Sequence, residues 1–172
     1  SLSGSIQEAA LFCLGRIPKN DIEIFDILAK QILNPNLTEA AAEAILNRPD
    51  KHWPSKRAIS LLNSHLPTLE KTPVDKRGSS AFKLSSELLT KIGNIHKAPE
   101  IAAKIRALQL VPVEIATIPD QLRFNKASIQ VPLNTPIELR LNNPDAIQHN
   151  LVLCSPGSLE KVGLAVDNIL SD

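Results

Sequence analysis

The sequence predicts an α+β fold, in which a helical N-terminal region precedes an antiparallel β-sheet. Over residues 1–109, apolar side chains recur at the three- and four-residue spacing of amphipathic helices. From residue 110 onward β-branched residues become frequent, and apolar and polar residues alternate as they do in half-buried strands. We therefore expect two domains, residues 1–109 and residues 110–172, with the boundary between Leu108 and Pro112.

Six amphipathic helices joined by short turns are expected in the first region. Pro18 ends the first helix, and Asn20 or Asp21 can cap the second. Residues 67–78 are polar and are expected to form a linker. The expected helices cover residues 5–17, 21–33, 38–46, 55–66, 79–92 and 99–108.

Apolar spacing also predicts which helix faces are buried. The first helix is expected to bury Ile6, Ala9, Ala10, Cys13 and Leu14, and the second Ile24, Leu28 and Ile32, with Ile27 beside them. Helix pairs recur at a loose interval of about 35 to 45 residues, the range of HEAT-type repeats. This interval favours a solenoid of stacked helix pairs, with a compact helical bundle as the alternative.

In the second region, alternating apolar residues predict strands, and turn residues separate them. The last two strands flank the turn sequence NNPDA, in which Pro144 fixes the backbone. A final helix is expected over residues 158–170, with Leu159, Val162, Leu164, Val166 and Ile169 as its apolar residues. The strands are expected at Val111, Val113 and Ile115, at Ile129 and Val131, at Ile137, Leu139 and Leu141, and at Leu151 and Leu153.

Composition argues against several classes of function. The net charge is +1 and aromatic residues make up 3% of the chain, so neither a nucleic-acid footprint nor a stacking surface is indicated. No apolar run approaches the roughly 20 residues needed to span a bilayer. Cys13 and Cys154 are expected to be buried and unpaired, with a disulfide between them as the alternative.

The sequence contains no catalytic constellation. His52, His65 and His96 lack the spacing that gathers a metal, and we expect them to be surface or half-buried residues. Trp53 is expected to fill the space between helices. Because no phosphate-binding loop and no nucleophile–base pair is present, we assign no enzymatic activity to these residues.

The string NPDAIQHNLV at residues 143–152, followed by PGSLEKVG at 156–163, is the most specific feature of the chain. This region resembles the N-terminal half of a blue-copper (cupredoxin) domain of the azurin and plastocyanin type. The resemblance implies that residues 110–172 form a partial antiparallel β-sandwich, truncated at its C-terminus. It implies that His149 is the first copper ligand, and that Asp145 and Asn150 support it by hydrogen bonds.

The chain departs from the cupredoxin pattern after His149. A blue-copper site needs two histidines and a cysteine thiolate, with a weak axial ligand such as methionine. No Cys-His-Met loop follows His149, and the chain contains no Met. Cys154 belongs to the same expected strand as His149 and does not match the ligand cysteine. We therefore expect copper in the complete parent domain but not in this chain alone.

The helical region followed by this β region is similar to large bacterial multi-domain dehydrogenases that carry an appended copper domain. The resemblance implies a piece of an exported, periplasmic electron-transfer protein, whose parent we expect to be an oxidoreductase. Its partner would be a redox protein or a neighbouring domain. The absence of an initiator Met also leads us to expect a longer parent protein. The alternative is a metal-free helical-repeat module that binds other proteins.

Overall fold

The computed structural model describes residues 4–169, with side chains described through residue 165. The chain divides into two compact units, Ser1–Val111 and Pro112–Asp172. Six helices occupy the described part of the first unit, and a two-stranded sheet and one helix follow. The fold is therefore α+β, as the sequence predicts.

The helices of the first unit begin and end close to the expected residues. Ser79 caps α5, because its Oγ accepts a hydrogen bond from the backbone N–H of Phe82 at 3.3 Å. The fourth helix continues through Pro67 into the expected linker. The helices are α1 Gly4–Gly15, α2 Asp21–Ile32, α3 Thr38–Leu46, α4 Ser55–Glu70, α5 Ser80–Ile95 and α6 Pro99–Leu108.

The helices of the first unit pack against helices that are close to them in chain order. The alternate helices α1, α3 and α5 pack side by side, with α3 in the middle. Helix α2 packs against α3 and α4, and α4 packs against α5. The principal contacts of the first unit therefore join helices one or two positions apart along the chain.

The buried face of α2 differs slightly from the expected one. Ile24, Leu28 and Ile32 are buried, but the fourth core residue is Phe25, which is fully buried, whereas Ile27 is exposed. Each helical residue rotates by about 100° from the previous one, so Phe25 lies next to Ile32, about 20° beyond the edge of the arc that the other three span. Ile27 lies on the opposite flank of that arc.

The buried face expected for α1 is wrong except at Leu14, which is half-buried and packs against the core. Leu11 and Gly15 are buried, whereas Ile6 and Cys13 are exposed and Cys13 is a free thiol. A Cβ atom at Gly15 would lie 2.6 Å from the backbone oxygen of Ala44, so only glycine permits this approach of α1 to α3. The contact at Gly15 decides which face of α1 turns inward.

The second unit forms a parallel pair of strands instead of the expected antiparallel sheet. Strand β1, Val111–Ala116, buries Val113 and Ile115 as the alternation predicts. It pairs with β2, Ile137–Asn142, in a two-stranded parallel sheet. Alternation identifies a strand but not the direction of its partner. Residues 117–136 are long enough to return the chain to the same end of the sheet before β2 begins.

The remaining expected strands do not form among the described residues. The segments around Ile129 and Val131, and around Leu151 and Leu153, have no regular structure, and Leu153 is 78% exposed. Consequently the described residues contain no antiparallel β-sandwich. Cys154 is half-buried and free. The last helix is α7, Leu159–Ile169; Leu170 and the side chains of Val166 and Ile169 lie outside the described part.

Arg48 joins the first three helices through a buried guanidinium group. The side chain is 2% exposed, and its Nη1 donates hydrogen bonds to the carbonyl oxygens of Leu14 at 3.3 Å and Ile17 at 2.8 Å. Leu14 lies in the last turn of α1, where its carbonyl also accepts the N–H of Ile17, and Ile17 lies two residues after the helix. Its Nη2 lies 2.6 Å from the carboxylate of Asp21 in the first turn of α2. One side chain thus connects the end of α1, the start of α2 and the end of α3.

Trp53 fills the space between helices, so the prediction for this residue is confirmed. The indole is 7% exposed and its ring centroid lies 6.5 Å from that of Phe25. The indole N–H donates a hydrogen bond to the backbone oxygen of Arg48 at 3.2 Å. The turn that carries Trp53 is therefore attached to the residue that joins the helices.

We predict that Arg48→Met lowers the free energy of unfolding by about 2–3 kcal/mol, because carbonyls of α1 and the Asp21 carboxylate lose a buried donor. Chemical denaturation measures this loss. Arg57→Met is the matched control, since Arg57 is 55% exposed and its ion pair with Asp26 lies at the surface. The control should change the free energy by less than about 0.5 kcal/mol, and equal losses for both variants would contradict the role of Arg48.

Candidate metal-ligand site

The loop after β2 is organised by Asn143, a residue that the sequence analysis treated only as part of a turn. Its Oδ1 accepts hydrogen bonds from the hydroxyl of Thr117 at 2.7 Å and from the backbone N–H of Asp145 at 3.2 Å. Its Nδ2 donates to the backbone oxygen of Ile147 at 2.8 Å. Thr117 directly follows β1, and the parallel pairing brings the ends of both strands to one edge of the sheet. Asn143 therefore anchors the loop to that edge.

This loop brings Asp145 and His149 together. The Nε2 of His149 lies 3.0 Å from Oδ2 of Asp145, and the two side chains are only 8% and 4% exposed. An ionised carboxylate only accepts hydrogen bonds, so Nε2 carries the proton and Nδ1 carries the lone pair of the neutral ring. Nδ1 has no hydrogen-bond partner among residues 4–169. Asp145 therefore holds His149 in a single tautomer, and the Nδ1 atom remains available to bind a metal ion.

The environment of Asp145 favours its charged form. The hydrogen bond from His149 lowers the pKa of the carboxyl group below its ordinary value of 3.8. The backbone N–H groups of Ile147 and Ala146 lower this pKa further, while burial acts against them. Asp145 is consequently a carboxylate at neutral pH and remains an acceptor for His149.

The structure does not bring the other expected site residues to His149. Asn150 is exposed, and its side chain makes no hydrogen bond within the described residues, so its supporting role stays a prediction. Across residues 4–169 no group of three or more His, Cys, Asp or Glu side chains is placed to hold a metal ion. The site described here therefore consists of one imidazole and its carboxylate partner.

The histidines of the helical unit have other surroundings. His52 pairs with Asp21, with 2.9 Å between Nδ1 and Oδ2, and this hydrogen bond is the first cause that lowers the pKa of Asp21. His65 is buried at 4% exposure, which the sequence analysis did not expect. Its burial lowers its pKa and keeps the ring neutral. Asp21 is thus paired with both Arg48 and His52. In the sequence, the only indication of this arrangement is that Arg48 and His52 are four residues apart.

Comparison with models of protein families, with curated proteins and with solved structures gives no match. Within the described residues, none of the helices has the length and apolar character needed to cross a membrane.

We predict that His149→Ala raises the pKa of Asp145 toward 3.8, because the substitution removes the largest cause of the lowering. Carbon-detected NMR titration of the Asp145 carboxyl group measures this change. His96→Ala, in the helical unit, is the control and should leave the titration unaltered. An Asp145 pKa that is the same with and without His149 would contradict the pairing.

The same pKa sets the sign of a stability effect. Because the folded-state pKa is lowered, Asp145 contributes stability above its ordinary pKa, and the contribution is lost as the pH falls through the folded-state value. Asp145→Asn should therefore flatten the fall in unfolding free energy between about pH 5 and pH 2. Denaturation at a series of pH values checks this, and parallel curves for the two proteins would show that Asp145 is not responsible.

Proposed function

We propose that the second unit supplies the first histidine ligand and its carboxylate partner to a cupredoxin-type copper centre that transfers single electrons. The observation that supports this is the Asp145–His149 hydrogen bond of 3.0 Å, which leaves Nδ1 free. Histidines that bind metals commonly donate their other ring N–H to a carboxylate, which orients the ring and raises its basicity. In this proposal the region is the opening half of the antiparallel sandwich of that family.

The described residues do not by themselves fit copper. A blue-copper centre takes two imidazoles and a thiolate, and residues 4–169 place no second ligand beside His149. The proposal therefore assigns the remaining ligands to a further segment of a longer parent protein. In this proposal the chain contributes one ligand, His149, and positions it: Asn143 anchors the loop and Asp145 holds the His149 ring in one tautomer.

The cellular setting belongs to the same proposal. The parent would be an exported, periplasmic protein that passes electrons from a catalytic oxidoreductase domain to a redox partner. The helical unit would then be the HEAT-like spacer or docking part between these domains. The β region that follows stacked helices supports this domain order.

Copper retention tests the proposal in two proteins that differ in length. The 172-residue chain should release copper on desalting, because one imidazole cannot compete with water for the ion. The parent-length protein should retain one copper ion per molecule and show an intense visible absorption band. We predict that His149→Ala in that protein abolishes the band and the retained copper, because the centre loses one of its strong ligands.

His96→Ala is the control in the parent-length protein and should leave both copper content and the absorption band unchanged. A parent-length protein that contains no copper and remains colourless would reject the copper proposal. A coloured protein that is insensitive to His149→Ala would reject the assignment of His149.

A metal-free protein-interaction module is the second candidate, and the stacking of α1, α3 and α5 favours it. Arrays of this kind bind partners through extended surfaces formed by successive helices. The two candidates differ in their response to His149→Ala. Binding of an identified partner that survives this substitution, in a parent protein that lacks copper, would support the interaction module over the copper centre.

A further inference from the structure

In the part of the chain that the structure describes, strand β2 lies at an edge of its sheet, because β1 is its neighbour on one side and no strand pairs with the other. The backbone oxygen of Asn142 accepts the N–H of Thr117, which follows β1, at 3.0 Å. Backbone groups of successive residues in a strand point to opposite sides. The backbone groups of Ile137, Leu139 and Leu141 therefore point to the outer edge, the side of β2 away from β1.

The apolar face of the sheet extends to this outer edge. The register set by the same hydrogen bond makes Val113 and Leu139 neighbours on one face of the sheet. Ile115 and Leu141 are neighbours on the same face. Val113 and Ile115 are 7% and 4% exposed, whereas Leu141 is 38% exposed. A strand added at the outer edge would bring further apolar side chains beside the leucines of β2.

The other face of β2 carries one acidic and one basic side chain, Glu138 and Arg140. Nη2 of Arg140 lies 2.8 Å from Oε2 of Glu138, and Nη1 lies 3.6 Å from the carboxylate of Glu114 in β1. The Arg140 side chain is 47% exposed, and a guanidinium group has five N–H donors, so it can bind a further carboxylate. Edge strands that resist pairing often carry proline or lysine, and β2 contains neither.

These features make the outer edge of β2 complementary to itself. In an antiparallel pair of two β2 strands centred on Leu139, that residue lies opposite its own copy, and Ile137 lies opposite Leu141 of the second copy. Their backbone groups point at each other, so each opposed pair exchanges two hydrogen bonds. In the same register Glu138 lies opposite Arg140 of the second copy. This is a non-hydrogen-bonded pair, the kind in which opposed side chains are closest.

The charges of β2 disfavour the neighbouring registers. A shift by one residue places outward backbone groups opposite residues whose groups point away, and it reverses the faces of the side chains. A shift by two residues places Glu138 opposite its own copy, or Arg140 opposite its own copy. Like charges directly opposite one another destabilise a sheet. The register centred on Leu139 therefore satisfies both the backbone and the charges.

We propose that the 172-residue chain forms a two-fold symmetric dimer through antiparallel pairing of β2 with β2 of a second copy. The product is a four-stranded sheet in the order β1–β2–β2–β1 with one shared apolar face. Two-stranded sheets are marginally stable in water, and three or more strands with an apolar face stabilise one another. Because both copies use the same edge, the assembly closes at two copies.

The residues assigned to the copper centre take no part in this pairing, so dimerisation and copper binding are tested separately. Dimerisation of His149→Ala should equal that of the unaltered chain. Loss of the dimer in this variant would contradict the proposed interface, whereas absence of copper from the parent-length protein has no bearing on it.

Sedimentation equilibrium and hydrogen exchange of the full 172-residue chain test the dimer. A short strand pair is a small interface, so we expect a Kd on the order of 100 µM and a mass that rises from 18.7 kDa toward twice that value. Exchange at the N–H groups of Ile137, Leu139 and Leu141 should slow about fourfold between about 10 µM and about 1 mM protein, by mass action. The N–H groups of Glu138 and Arg140, which point to β1, should be protected equally at both concentrations.

Charge reversal tests the contact between copies. Arg140→Glu and Glu138→Arg should each raise the Kd about tenfold, because each places like charges opposite one another. An equimolar mixture of the two variants should associate with nearly the original Kd, since every carboxylate then lies opposite a guanidinium group. Arg123→Glu reverses an exposed charge of the same unit outside β2, and this control should leave the Kd unchanged.

A chain that remains a monomer at about 1 mM would overturn the proposal. A dimer that neither charge reversal weakens, or two variants that fail to associate with each other while the Asn142 N–H stays protected in both, would reject the antiparallel register. Protection of the Leu139 N–H in a monomeric chain would show that another segment of the same chain occupies the outer edge, and it would likewise reject the second copy.

Discussion

The relative positions of the first three helices depend on one buried cation, the guanidinium group of Arg48. Arg48, just after α3, donates hydrogen bonds to carbonyls at and just beyond the end of α1, and its charge is balanced by Asp21 at the start of α2. A buried guanidinium is costly unless it is paired and hydrogen-bonded, so the positions of the three helices are mutually restricted. The indole of Trp53 adds a hydrogen bond to the Arg48 backbone and packs near Phe25, which joins this polar cluster to the apolar core.

The loop of the second unit follows a different principle, because almost all of its hydrogen bonds are local. Asn143 hydrogen-bonds to the backbone of Asp145 and Ile147, which follow it within four residues. Asp145 in turn hydrogen-bonds to His149, four residues further along the chain. A loop organised in this way holds its histidine without a large core around it. Within the part of the chain that the structure describes, Asn143 also accepts a hydrogen bond from the Thr117 hydroxyl, which the parallel pairing of β1 and β2 brings to the same edge. Residues close in sequence therefore orient the His149 imidazole, and the hydrogen bond to Thr117 fixes the loop to the sheet.

The sequence predicted these two regions with unequal success. Helix positions followed from apolar spacing, and the faces of α2 and the burial of Trp53 were largely anticipated. The face of α1 was missed because a glycine contact with Ala44, and not apolar spacing, selects it. Asp145 and His149 were singled out from a motif, but Asn143 was overlooked because an asparagine in a turn is common. His65 was expected to be a surface or half-buried residue, and its full burial depends on α5, about which its neighbours in sequence say nothing.

What the sequence by itself determined is the α+β class, the order of the helices and of the two strands that form, and the local Asp145–His149 spacing, because each depends on residues close together in the chain. Only the tertiary structure decided the parallel direction of the β1–β2 pair, the joining of three helices by Arg48, and the burial of His65 beside Ser85 of α5. These features unite residues that are tens of positions apart. The free energy of each feature comes from contacts between two distant segments. Periodicity along one segment carries no information about the segment that packs against it.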